Sequence, residues 1–162
     1  MTQPEFLLAD LQQTEHAAAV LHLLDAYARD PAGGGVALSD YCRANLIERL
    51  KQRPNCLILL ARWQGQFVGM ALCFEGFSTF ACQPLLNIHD FTVLPQARGL
   101  GLGKQMLHEL SRLAQARGYC KLTLEVLQGN RPAYELYLQQ GFAPYQLDPE
   151  FGAAVILQKY LD

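Results

Sequence analysis

The sequence predicts an α/β fold, a central mixed β-sheet with helices on both faces, and three observations lead there. Apolar runs of strand length alternate with longer segments of helical period, in the order β-α-α-β-β-β-α-β-α-β-β. Pro31, Pro54, Pro95 and Gly118 fall at the junctions between those segments. A chain of 162 residues that is 51% hydrophobic has room for a single domain, residues 1–162, around one buried core.

Phe6 to Leu11 reads as a first strand. Thr14 then caps a helix to about Arg29, with Ala17, Leu21, Leu24 and Ala28 on one face. Asp30-Pro31-Ala32-Gly33-Gly34-Gly35 breaks that helix, because proline cannot continue it and three glycines cost too much entropy. Ser39 begins a second helix that Pro54 stops near Arg53. Cys56 to Arg62 is a continuous apolar run, as in a strand buried on both faces. Gln64-Gly65 turns the chain into a strand from Phe67 to Phe77, completing a hairpin.

After a loop over residues 78–83, Leu85 to Val93 reads as another strand, ended by Pro95, which cannot donate to a ladder. A glycine-rich turn follows, then a helix with Met106, Leu107, Leu110, Leu113 and Ala114 inward, closed by Gly118. Lys121 to Leu127 alternates like a strand, so that Leu122, Leu124 and Val126 share one side. Asn130 caps a short helix to about Gln140. Phe142 to Tyr145 and Ala153 to Tyr160 read as two last strands.

Composition excludes several function classes. A net charge of −2 lacks the dense basic surface of nonspecific nucleic-acid binding. No run approaches the ~18 apolar residues of a membrane span, the longest being Cys56 to Ala61. Met1-Thr2-Gln3-Pro4-Glu5 has no basic flank, unlike a signal peptide. Five cysteines without a C-x-x-C pair suit the reduced thiols of a cytoplasmic protein. His16, His22, His89 and His108 are dispersed, so no metal site is expected.

The chemistry concentrates in two segments. In Gln96-Ala97-Arg98-Gly99-Leu100-Gly101-Leu102-Gly103-Lys104, glycines at alternate positions uncover backbone N–H groups just before a helix start, an arrangement suited to phosphate oxygens. A P-loop fails here, since its first glycine and its Ser/Thr positions hold Arg98 and Gln105. A G-x-G-x-x-G fingerprint fails too, because its last glycine would fall on Lys104 or Met106. The second segment, Asn130-Arg131-Pro132-Ala133-Tyr134-Glu135-Leu136-Tyr137-Leu138-Gln139-Gln140-Gly141-Phe142, follows N-x-x-A-x-x-x-Y-x-x-x-G-F.

Together these two segments resemble the GCN5-related N-acetyltransferase (GNAT) superfamily, sharply from about Leu85 to Phe142 and only topologically before that. The resemblance implies the acetyltransferase fold, with two strands splayed to admit acetyl-coenzyme A as cosubstrate. The splayed strands are those holding Val93 and Lys121 to Leu127. Phe91, Thr92 and Val93 would meet the pantetheine arm, and Arg98, Gly99, Leu100, Gly101, Leu102, Gly103 and Lys104 the pyrophosphate. Asn130, Ala133 and Tyr137 would approach from the following helix. It also implies N-acetyl transfer to the primary amine of a small molecule, by direct attack in a ternary complex.

Acetyl transfer needs a neutral amine, a stabilised oxyanion and a proton for the departing thiolate. Tyr137 matches the family tyrosine that supplies the proton. Glu125 matches the base of ribosomal-protein alanine acetyltransferases. His89 stands where diamine acetyltransferases carry a glutamate, beside Asp90, and the two should face opposite sides of their strand. A water relay is the third option.

The acceptor should lie against the first two helices and their connection, with Tyr27, Asp30, Glu75 and Asp90 as candidate contacts. Acids there suit a cationic amine such as a polyamine, a lysine analogue or an aminoglycoside. A protein N-terminus or lysine is the alternative acceptor. A noncatalytic acyl-coenzyme A sensor and a self-associating scaffold are alternatives of other classes. No nucleic-acid or membrane partner is expected, and the apolar last strands suggest a homodimer.

Overall fold

The computed structural model describes residues 3–161, so Met1, Thr2 and Asp162 lie outside the described residues, and with them part of the N-terminal reading. The sheet is built on the apolar run of β2 (Cys56–Trp63) and its hairpin partner β3 (Gln66–Ser78). Gln64 and Gly65 both take positive φ, 50° and 79°, the backbone of a tight hairpin turn. β1 (Glu5–Leu8) pairs with the outer side of β2, and β4 (Gln83–Val93) with β3, all antiparallel. β5 (Leu122–Leu124) joins β4 in parallel, giving the order β1-β2-β3-β4-β5.

Side-chain alternation divides the core into two layers. Leu57, Leu59 and Ala61 of β2, with Ala71, Cys73, Leu86 and Ile88, pack under α3 (Leu102–Ala116) and α4 (Arg131–Gln139). Ile58, Leu60, Met70 and Leu72 face the other way, toward α1 (Thr14–Arg29) and α2 (Asp40–Lys51). Helices therefore cover both faces. Among the described residues no helix is long and apolar enough to cross a membrane.

Several expectations are corrected. α1 is rotated: His16, Ala19, Val20 and Leu23 are its buried residues, not the stripe through Ala17, Leu21, Leu24 and Ala28. Alanine at three of its first seven apolar positions blurs the period, and His16 can be buried because its Nδ1 accepts the Asp10 N–H at 3.0 Å. Thr14 is the first helical residue, with Gln13 at the cap position and no side-chain cap bond. Ser39 does cap α2, its Oγ accepting from the Cys42 N–H at 3.1 Å. β1 ends at Leu8, and β5 stops at Leu124.

The two last strands do not form among the described residues. Phe142 packs on the core, and the Ala154 N–H donates to the Tyr145 carbonyl, but the segment makes no ladder with the sheet. The β5 edge is paired with β4 over only three residues. Val155, Ile156, Leu157, Tyr160 and Leu161 are left exposed.

The connection from α1 to α2 is held against the end of α1. The Asp30 carbonyl accepts from the Gly33 and Gly35 N–H groups, and the Val36 N–H donates to the Ala28 carbonyl. A Cβ on Gly33 would lie 2.0 Å from the Tyr27 carbonyl oxygen, an overlap with backbone that has no flexible end to yield. Gly33→Ala should therefore lower stability by about 1–3 kcal/mol, read as a lower denaturant midpoint with unchanged helical content. An unchanged midpoint would show that this connection is free to move.

Candidate active site

The site begins with one extra residue in β4. Register runs Cys73↔Ile88 and then Leu72↔Asp90, so His89 has no partner on β3. This bulge reverses which residues of β4 point their backbone groups away from β3. Leu86 donates its N–H to Lys121 on the β5 side. Past the bulge the same direction belongs to Phe91 and Val93, while the Leu94 N–H turns back to Val68. Pairing with β5 ends at Ile88↔Leu124, so the gap opens where Phe91 and Val93 face it.

The bulge also overturns the expectation that His89 and Asp90 point to opposite faces. The His89 ring meets Phe74 edge-on at 5.5 Å, and Phe74 packs with the α1/α2 layer. Asp90 sits opposite Leu72 of that same layer. Both side chains thus belong to the α1 side of the sheet. Burial pushes the Asp90 carboxyl up, and the neighbouring His89 opposes that shift.

Beyond β4, Gly101 takes φ 76°, a conformation that favours glycine, and serves as the cap of α3 without any side-chain bond. The first-turn N–H groups of Leu102, Gly103 and Lys104 have no partner within the helix ladder, and the helix dipole adds to their attraction for anions. The gap and this helix start open on a single cavity of about 930 Å³.

Most predicted residues line it: His89, Phe91, Thr92, Val93, Arg98, Gly99, Gly101, Leu102, Gly103, Lys104, Glu125, Asn130, Ala133, Tyr137, Tyr27 and Asp30. Leu100 lies on the outside of the turn, half exposed. Glu75 is elsewhere, accepting a 2.7 Å hydrogen bond from the Tyr119 hydroxyl. Asp90 is behind the wall rather than in it, close enough for its charge to act on Tyr27. Ile156 of the C-terminal segment also lines the cavity, which no sequence signal indicated.

Asn130 caps α4, its Oδ1 accepting from the Ala133 N–H at 3.4 Å. Tyr137 is buried on α4 between Phe91 and Phe142, with ring centroids 6.0 and 5.8 Å away. Burial pushes its phenol up to about 12, with Tyr27 adding to the effect. At neutral pH it therefore keeps its proton and has one to give. Glu125 is exposed at the mouth of the gap.

The other acids near the α1–α2 connection already have partners. Asp25 accepts from Arg29 at 2.8 Å and from the Leu38 N–H at 2.9 Å. Asp30 accepts from Arg98 at 2.7 Å, and Arg98 also donates its Nε–H to the Val93 carbonyl at 2.9 Å. Spacing alone could not have found that pair, which joins residues 68 positions apart. All five cysteines are free, and among the described residues no cluster of side chains could hold a metal ion.

The family model described as "Acetyltransferase (GNAT) family" matches residues 17–142. An uncharacterized N-acetyltransferase, YhfO, of Bacillus subtilis (strain 168) is 30% identical over 136 residues, covering 80% of this chain and 85% of that protein. Thialysine N-epsilon-acetyltransferase of Caenorhabditis elegans is 35% identical over 69 residues, 43% of this chain and 42% of that protein. Among solved structures, an aminoglycoside acetyltransferase from an uncultured soil metagenomic sample, in complex with trehalose, superposes with a TM-score of 0.78. It is 14% identical, over 98% of this chain and 97% of that one, and so shows the fold.

Because the folded Tyr137 phenol ionises above its ordinary value of 10, its contribution to stability is complete below about pH 10 and is lost as pH rises through about 12. Tyr137→Phe should remove that part of the alkaline loss, seen in denaturant midpoints across this range. An identical alkaline decline in both proteins would show that the phenol is not desolvated.

Proposed function

The chain belongs to the acetyltransferase (GNAT) family, and we propose that it moves the acetyl group of acetyl-coenzyme A to the primary amine of a small molecule, by direct attack with both substrates bound. The observation that carries this reading is one cavity shared by an uncapped helix start, a parted strand pair and a buried phenol. The family's cosubstrate fits those features. The open N–H groups of Leu102, Gly103 and Lys104, with the Lys104 charge, suit a pyrophosphate. The backbone of Phe91 and the Val93 N–H, turned away from β3, suit an amide-bearing arm.

When bound, the cosubstrate supplies an activated thioester. The chain's own part is to hold it, polarise the acetyl oxygen with a β4 backbone N–H, and move two protons. Tyr137 gives its phenolic proton to the sulfur. Glu125, which lines the cavity without an ion pair among the described residues, takes the proton of the attacking ammonium; His89, thrust out by the bulge, is the competing base. Tyr27, with Asp90 behind it, forms the acceptor wall. The small-molecule class is supported by the names of the thialysine relative and the aminoglycoside neighbour.

A homodimer and a cytoplasmic location belong to the same proposal. The exposed Val155, Ile156, Leu157, Tyr160 and Leu161 support the first and the five free cysteines the second. Light scattering after size exclusion should give twice the 18.1 kDa chain mass, and a monomer would refute the dimer.

The decisive assay incubates the protein and acetyl-coenzyme A with polyamines, lysine analogues, aminoglycosides and short peptides, reading products by mass spectrometry. A small amine should be acetylated, with turnover falling about ten-fold or more in Tyr137→Phe at little change in cofactor affinity. Modification of peptides alone would move the acceptor class to proteins, and cofactor binding without any product would favour a sensor. On the acetylated amine, Glu125→Gln should flatten the acidic limb of the pH–rate profile while His89→Gln preserves it. The reverse pattern would assign the base to His89.

A further inference from the structure

We propose that Asp30 is a positioning residue for the cofactor rather than an acceptor-binding carboxylate, acting through Arg98. The proposal rests on the reading that the glycine turn holds the pyrophosphate of coenzyme A. Asp30 is placed by the turn that follows α1: its Oδ1 accepts from the Ala32 N–H at 2.9 Å while its Oδ2 accepts from Arg98 at 2.7 Å. The Asp30 side chain is 19% exposed, against 51% for Arg98, so the carboxylate is the fixed partner and the guanidinium the one being held.

Arg98 is thereby tied at two points, by Nε–H to the Val93 carbonyl at 2.9 Å and by Nη2 to Asp30. A guanidinium has five N–H donors in a rigid plane, so two bonds fix its orientation and leave Nη1 for an anion. Both residues line the cavity beside Gly99, Gly101 and Gly103. A loose arginine would have to be ordered when the ligand binds, whereas this one is already ordered. Engaged in this way, Asp30 has no oxygen left without a donor and is a poor site for a substrate ammonium.

The test is coenzyme A binding by calorimetry to the full chain. Asp30→Asn keeps an oxygen for the Ala32 N–H but loses the ion pair, and should weaken coenzyme A by about five-fold. In an Arg98→Ala background the same substitution should add nothing further. Arg98→Lys, which cannot reach both tethers with one planar group, should reproduce the loss if Asp30→Asn folds poorly. At saturating acetyl-coenzyme A, Asp30→Asn should leave the acceptor KM within two-fold of wild type, about the scatter expected of an uninvolved residue. A raised acceptor KM with unchanged coenzyme A affinity would overturn the proposal, and so would an undiminished Asp30→Asn effect without Arg98. Failure of the wild type to bind coenzyme A would instead overturn the underlying reading.

Discussion

The site depends on one surplus residue. Without His89 bulged out of β4, backbone alternation would aim Asp90 and Thr92 at β5, and Phe91 and Val93 would be spent on the ladder with β3. The same insertion bends the strand, ends its pairing with β5 after three residues, and puts a histidine and a carboxylate on one face. The gap, the outward-turned backbone donors and the shared face of His89 and Asp90 are thus one event in the chain. The bulge persists because β3 holds the register on both sides of it through buried Met70, Ala71, Leu72 and Cys73.

Electrostatics in the cavity is a matter of which charges are already spoken for. Counting acids near the α1–α2 connection suggests a cation-binding mouth, but Asp25 and Asp30 are bonded to arginines and Glu75 to a tyrosine hydroxyl. Their ion pairs hold each carboxyl of Asp25 and Asp30 below the usual range, the arginine hydrogen bond being the largest cause. Desolvation acts in the other direction on Asp90 and Tyr137, where it favours the neutral forms. Asp30 therefore meets the cavity as an ionised, paired carboxylate, and Tyr137 lines it as a neutral phenol.

What the chain announces in advance is what local physics dictates. The two helices that flank the site carry their own signals, glycines before α3 and an asparagine before α4, and both start where those residues place them. The core strands could be read from their unbroken apolar runs. The face of α1 could not, because alanine fits either side and a buried histidine is indistinguishable from a surface one until its partner is known. The bulge could not be placed for a related reason, since apolar residues stand at both odd and even positions of Leu85 to Val93 and set no single phase. Ala153 to Tyr160 has every mark of a strand, yet strandedness is a property of two segments, and β5 presents too short a partner.

The division of the core by strand parity has a consequence for how such a protein can change over generations. Side chains that pack under α3 and α4 and those that pack under α1 and α2 share a backbone but barely touch. Substitutions in one layer leave the other's packing intact, so their effects on stability should nearly add. In the proposed reading the α1–α2 layer is the acceptor side, so a lineage can remodel it for a different amine while the α3–α4 layer stays under unrelieved selection. Packing in one half of the molecule can drift, and the intact packing of the other half is what makes that drift survivable.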